Sequence, residues 1–227
     1  MGRLAVVVGS NALGDNGELV AAAAAEQGAA IVQRHAAADG GYVLPHQIDH
    51  EANLRPLLEQ GCDRVLAIGS VGSLDPSLPV GSTVCPDDFI AFGLAGSIFD
   101  DLRAHSAPGF EPRWRAEVIA AWGEGSEPPR DGGVYWQARG PRFETPAEIR
   151  AMAPHADVVG MTIASECVVA AELGLAYAAL CMVDNLANGV GSAAISVEEM
   201  EADRTRNAVR LRDGLAAVLP RLGAVGR

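Results

Sequence analysis

Three mainly apolar runs constrain this chain most: Leu4–Val8, Arg64–Ile68 and Tyr177–Val183. None alternates apolar with polar residues, so each reads as a strand covered on both faces, the pattern of a central parallel sheet. Each ends in small or polar residues: Gly9-Ser10-Asn11, then Gly69-Ser70-Val71-Gly72-Ser73-Leu74, then Asp184-Asn185-Leu186-Ala187-Asn188-Gly189. Helical stretches lie between, among them an alanine-rich one from about Gly17 to Gln27 and one around Arg113 to Trp122. Strands alternating with helices predict an α/β fold of three αβα layers, a twisted central sheet flanked by helices with a ligand site along one sheet edge.

No repeat or low-complexity linker interrupts the pattern, and 227 residues suit a single domain over 1–227 that can bury its core without staples. The four cysteines, Cys62, Cys85, Cys167 and Cys181, have no paired or metal-ligand spacing, which predicts free thiols, a reducing compartment and no metal site. Only five apolar or small residues follow Arg3 before a polar turn, and there is no 18-residue apolar run. The expectation is a cytoplasmic protein without a membrane partner. A net charge of −12, with every one of the 17 Lys-or-Arg positions an arginine, argues against nucleic acid, whose backbone needs clustered cations. A small anion remains bindable where a few arginines and backbone N–H groups converge.

The chemistry is concentrated in Gly132–Glu166. Val134-Tyr135-Trp136-Gln137 reads as a buried strand ended by Gly140-Pro141, and Thr145-Pro146-Ala147-Glu148 reads as a helix start with N-cap, first-position proline and reciprocal glutamate. Phe143 and Glu144 fall at the junction. Glu144 has an ordinary alternative as a solvated helix-start carboxylate, and Phe143 and Met161 as core packing. Elsewhere, Ile31–His35 reads as a strand ending in two potential cations, Arg34 and His35, with Arg34 alternatively a surface charge. His46, in a proline-framed loop, is a lesser candidate. A helix follows through Leu57-Leu58, with Pro56 in its first turn or at a kink. The last helix reads as starting at Ser196, with Glu199 closing a capping box.

The run Gly140-Pro141-Arg142-Phe143-Glu144-Thr145-Pro146, followed by Val158-Val159-Gly160-Met161-Thr162 and Glu166, resembles the signature of the purine nucleoside phosphorylases, in the trimeric branch that includes methylthioadenosine and methylthioinosine phosphorylases. The likeness runs on through Val8-Gly9-Ser10, Arg34-His35, Pro45–Asn53, Gly69–Leu74 and Asp184–Glu199. It implies a pentosyltransferase that uses inorganic phosphate as co-substrate and no other cofactor. Ser10, Arg34, His35, Ser70 and Thr162 would hold phosphate, and Met161 would lie against the ribose. Phe143 would stack beside the base, with Glu144 and Asn185 reading its edge as the catalytic pair. The family's trimer completes each pocket from a neighbour, here through Ala91–Phe99. One departure stands out: Ala36–Tyr42 lacks the histidine that the methylthionucleoside enzymes carry there and is about two residues longer.

The base and the sugar each rest on one position. An amide and a carboxylate match the O6 acceptor and N1–H donor of a 6-oxopurine, which Asn185 and Glu144 supply; if the adjacent Asp184 faced the base instead, a 6-aminopurine would be preferred. Where phosphorylases of ordinary nucleosides have a histidine for the 5′-hydroxyl, this chain has Val197. Burying that hydroxyl without a partner costs about 1 to 3 kcal/mol, so an apolar 5′ substituent fits better. The expected activity is phosphorolysis of a 5′-methylthioinosine-like nucleoside, with methylthioadenosine as the alternative. Two competing readings are a hydrolase, with Glu166 activating water, and a catalytically silent nucleoside-binding protein.

Overall fold

The computed structural model describes residues 2–9, 24–37, 39–94, 96–124, 127–191 and 197–224, the last helix with its side chains from 206 onward. Strands β1 (Arg3–Val8), β2 (Ala30–Gln33), β3 (Cys62–Ser73) and β9 (Ala176–Leu186) run parallel in the order β2-β1-β3-β9, so their C-terminal ends share one edge. On the β9 flank lie β4 (Thr83–Cys85), antiparallel to β9, and β6 (Arg130–Asp131). Strands β5 (Asp88–Ile90), β7 (Val134–Gln137) and β8 (Val158–Gly160) pair in parallel, and β8 joins the far end of β3 antiparallel.

Alternate residues of the central strands enter two cores. Val65, Ala67, Tyr177, Ala179 and Cys181 pack under helices α1 (His50–Glu59) and α4 (Ile163–Glu172). Leu66, Ile68, Ala178, Leu180 and Met182 pack under α2 (Pro112–Gly123) and α5 (Val197–Ala224). A third cluster gathers around the short helix α3 (Pro146–Met152), through Ile149. This is the three-layer arrangement expected from the sequence. All four cysteines are free and buried. Among the described residues no helix is long and apolar enough to cross a membrane.

Three local expectations are corrected. Gly69–Ser73 and Asp184–Leu186 are not turns: β3 and β9 continue through them, paired as far as Ser73↔Leu186, because a bulge between Val71 and Gly72 lets the ladder run on. Of the two places open to Pro56, the first turn is ruled out: it lies in the second half of α1. Of the alanine-rich helix, Ala24–Glu26 are helical; its earlier part and Ser196 lie outside the described residues. The Thr145 capping box is present as read, with Thr145 Oγ1 accepting from Glu148 N at 3.2 Å and Glu148 accepting from Thr145 N at 2.7 Å.

Candidate active site

The site begins with a mismatch in strand length. β1 pairs with β3 only as far as Val8↔Ile68, and β8 takes up the same edge of β3 at Gly72↔Val159. Between them Gly69, Ser70 and Val71 have β9 on one side and, among the described residues, no strand on the other. Unpaired backbone N–H groups at a sheet edge are ready partners for an anion. Around this gap stand residues that follow β1 and β2 and residues at the start of α4. Arg34 follows β2 and sends Nη1 to the Ile68 carbonyl, 2.8 Å away, beside Gly9. Ile163, the first residue of α4, packs its side chain on Gly69, which brings the start of that helix and Thr162 to the gap. Ser10 lies outside the described residues.

Arg34 is no surface charge: it is 2 % exposed, and its fork grips Glu166 through Nε–Oε2 at 2.6 Å and Nη2–Oε1 at 2.9 Å. Glu166 is wholly buried and also accepts from the Tyr177 hydroxyl at 2.8 Å. Burial alone would raise the Glu166 carboxyl, but the Arg34 guanidinium outweighs it and holds the group well below the usual carboxylate range. The bidentate face expected to meet an anion is therefore turned inward; one N–H on each of Nη1 and Nη2 is left for a ligand.

His35 was read as a second cation and is not one. Burial, with Arg34 beside it, pushes its pKa down, against the raising effect of its contact with the Val43 carbonyl. The neutral ring donates from Nδ1 to Val43 O at 2.8 Å and stacks on Tyr42 at 4.8 Å. That arrangement depends on the longer loop, which closes through an Ala36↔Tyr42 bridge and through Val43 N donating to His35 O at 2.9 Å. Nε2 is left as an acceptor, suited to a protonated oxygen of the anion rather than to a bare charge.

Thr162 caps α4 by position, but its hydroxyl makes no capping bond. The helix's first N–H groups, Thr162 N and Ile163 N, donate instead to the buried Tyr135 hydroxyl at 3.2 and 3.4 Å. Gly160 makes this possible, since a Cβ there would sit 2.3 Å from Tyr135 Oη. Met161, between the strand and the helix, lies under Gly140, whose φ of +65° and whose 2.5 Å from a would-be Cβ to Met161 Sδ exclude a side chain.

The turn after β9 is tied to the Glu144 segment. Asn188 Nδ2 donates to the Glu144 carbonyl at 2.8 Å, and Gly189 packs on Pro146. Asn185 lies against Gly72 and gives one amide proton to Leu186 O at 2.8 Å. Glu144 is 8 % exposed, and among the described residues it has no salt bridge, because Arg142 pairs with Glu148. Burial raises its pKa. The solvated helix-start reading therefore fails. Phe143 beside it is 59 % exposed, so it is not core packing either.

Asp184, weighed from sequence as a base contact, faces away. It points to the α5 side of β9, where its carboxylate accepts from Ser70 Oγ and, at 2.6 Å, from Asn207 Nδ2. Ser70 thus donates its proton inward and offers the gap a lone pair and its backbone, not the O–H expected of it. The side chain of Val197 is outside the described residues. Sequence reasoning missed Tyr135, Tyr177 and Asn207. The two tyrosines sit in strands read simply as apolar, although a buried phenol needs a polar partner. Beyond Met161 opens a cleft of 750 Å³, walled also by His46, His50, Leu94, Arg139 and Ser165.

The chain belongs to the phosphorylase superfamily, whose family model matches residues 16–220. Its relatives there are named as purine nucleoside enzymes. A probable 6-oxopurine nucleoside phosphorylase of Archaeoglobus fulgidus is 40 % identical over 180 residues, 79 % of this chain and 73 % of that one. A probable S-methyl-5′-thioinosine phosphorylase of Methanothermobacter thermautotrophicus is 38 % identical over 173 residues, 75 % of this chain but 60 % of that one. The fold matches that of methylthioadenosine phosphorylase from Schistosoma mansoni solved with adenine, with a TM-score of 0.79 at 20 % identity, over 98 % of this chain and 92 % of that one.

Proposed function

We propose that the protein catalyses phosphorolysis of a 5′-modified 6-oxopurine nucleoside of the 5′-methylthioinosine class. A phosphate oxygen forms the bond to C1′ as the C1′–N9 bond breaks, the bonding pair leaves on the purine, and the products are the free base and a pentose 1-phosphate. Phosphate sits at the β1–β8 gap among the two uncommitted N–H groups of Arg34, His35, the Ser70 backbone and Thr162, with Ser10 a further ligand on sequence grounds alone. Met161 lies against the ribose, and Phe143 covers the base. Asn185 donates to O6, where negative charge grows in the transition state, and Glu144 accepts from N1–H. No cofactor beyond phosphate as co-substrate is needed.

The observation that carries this reading is that Asp184 is held by Ser70 and Asn207, which leaves Asn185 as the amide for the base, while Glu144 is shielded and its pKa is raised by burial. The methylthioadenosine alternative needs an acceptor toward N6, and Asp184 is turned from that role. A hydrolase would need a base; Glu166 has three of its four lone-pair positions filled and a depressed pKa, so it takes a proton from water poorly. Val197 supports the apolar 5′ substituent on sequence grounds alone. A homotrimer in the cytoplasm, acting in purine salvage, is part of the proposal. The trimer is supported by Phe92, which is 84 % exposed and packed edge-on against Trp136 in the segment expected to meet a neighbour. Comparing kcat/KM for methylthioinosine, methylthioadenosine and inosine tests the substrate: methylthioinosine should lead, and inosine leading would remove the Val197 argument. Sedimentation at micromolar concentration tests the trimer, and a monomer would defeat it.

A further inference from the structure

His50 opens α1 directly after its N-cap, Asp49, whose side chain accepts from Ala52 N at 2.8 Å. Its side chain is 10 % exposed, and Nδ1 is fully covered with no hydrogen-bond partner. A buried ring nitrogen left in that condition calls for an explanation. The acceptor nearest to hand is Glu166 Oε2, 3.8 Å away, just beyond bonding distance. A carboxylate offers about four lone-pair positions. Arg34 fills one on each oxygen and Tyr177 a second on Oε1, which leaves the remaining one on Oε2, the oxygen nearest His50.

We propose that His50 is a positioning residue for the phosphate-binding arginine, a standby donor that takes up Glu166 Oε2 when Arg34 turns part of its fork toward the bound anion. The inference rests on the proposed phosphate site. As it stands three of the five N–H groups of the Arg34 fork are committed to Glu166 and Ile68, and turning the fork to bring its other two onto phosphate draws Nε or Nη2 away from a wholly buried carboxylate. A movement of under about 1 Å brings His50 Nδ1–H within ordinary bonding distance of Oε2 and fills the vacancy. Glu166, itself held by Arg34 and Tyr177, faces His50 on the inner side, His35 lies near, and its other edge meets the cleft with His46, Asp49, Glu51 and Arg139.

The test is calorimetric binding of inorganic phosphate, and separately of the nucleoside, to His50→Ala, His50→Leu and His50→Asn. Loss of one hydrogen bond to a charged group predicts phosphate Kd raised about tenfold in the Ala and Leu variants, with nucleoside Kd changed less than about twofold. Leu fills the volume without donating, and Asn places an N–H near the position of Nδ1, so Asn should recover most of the phosphate affinity. Wild-type phosphate affinity in the Ala and Leu variants overturns the proposal. So does an Asn variant as weak as Leu, or a parallel loss of phosphate and nucleoside. A wild-type protein that binds no phosphate sinks the phosphorylase reading itself, and this proposal with it.

Discussion

Arg34 and Glu166, 132 positions apart in the chain, meet out of solvent through two hydrogen bonds of 2.6 and 2.9 Å. The contact ties the end of β2 to helix α4, and so fixes two sides of the anion gap relative to each other. A buried pair of this kind adds little net stability, but breaking it from one side leaves an uncompensated charge. Glu166→Ala should therefore destabilise the fold by about 3 to 5 kcal/mol in chemical denaturation at neutral pH. Because the folded-state pKa of Glu166 is depressed, its contribution is complete above the ordinary glutamate range and is lost as pH falls toward the folded value. The gap between wild type and variant should narrow as pH is lowered below about 4. An equal gap at pH 3 and pH 7 would contradict the assignment.

Glu144 has the opposite sign. Burial raises its folded pKa, so the folded protein holds this proton to a higher pH than the unfolded chain does, and ionised Glu144 costs stability above the ordinary glutamate value. Glu144→Gln should be more stable than wild type at pH 7, and the advantage should fade below about pH 4. Activity should move the other way, with kcat/KM falling about 10- to 100-fold on loss of the charged acceptor. The acid limb of the pH profile should disappear with it. Greater stability without loss of activity would leave Glu144 outside the site.

Asp184 and Asn185 are adjacent and face opposite layers, which gives two substitutions with different signatures. Asn185→Asp should move the ratio of kcat/KM from methylthioinosine toward methylthioadenosine. Asp184→Ala should leave that ratio alone and raise KM for phosphate, because Ser70 loses the acceptor that orients it. If Asp184→Ala changes base preference, the orientation of β9 assigned here is wrong.

Gly160→Ala drives a methyl group into the Tyr135 hydroxyl, and overpacking of this kind costs about 1 to 3 kcal/mol. Since Tyr135 accepts from the first two N–H groups of α4, the displacement also reaches Thr162. Thermal unfolding should show the destabilisation, and steady-state kinetics a raised KM for phosphate. A variant as stable as wild type would show that the close approach does not exist.

The layers were legible because Val65, Ala67 and their alternates on β3 need cover on both faces, and only helices on each side supply it. The Thr145 cap was legible because its geometry is local, four residues in a row. What could not be read was long-range. Nothing near Arg34 in the chain announces Glu166 or the Tyr177 hydroxyl, so its fork read as free. Gly69-Ser70 and Asp184-Asn185 have turn composition, and only the pairing of β3 with β9 made them strand. The same pairing set which way Asp184 points, a question the sequence left open between two neighbours. His35 read as a cation because its hairpin, closed by Tyr42, is a tertiary feature of the longer loop.

The most direct test is to incubate the purified protein with methylthioinosine in the presence and absence of inorganic phosphate, following free base and pentose 1-phosphate together. The account predicts release of hypoxanthine only when phosphate is present, with one equivalent of the sugar phosphate formed per base. Release without phosphate, yielding the free sugar, or no release of base from any purine nucleoside, would contradict it.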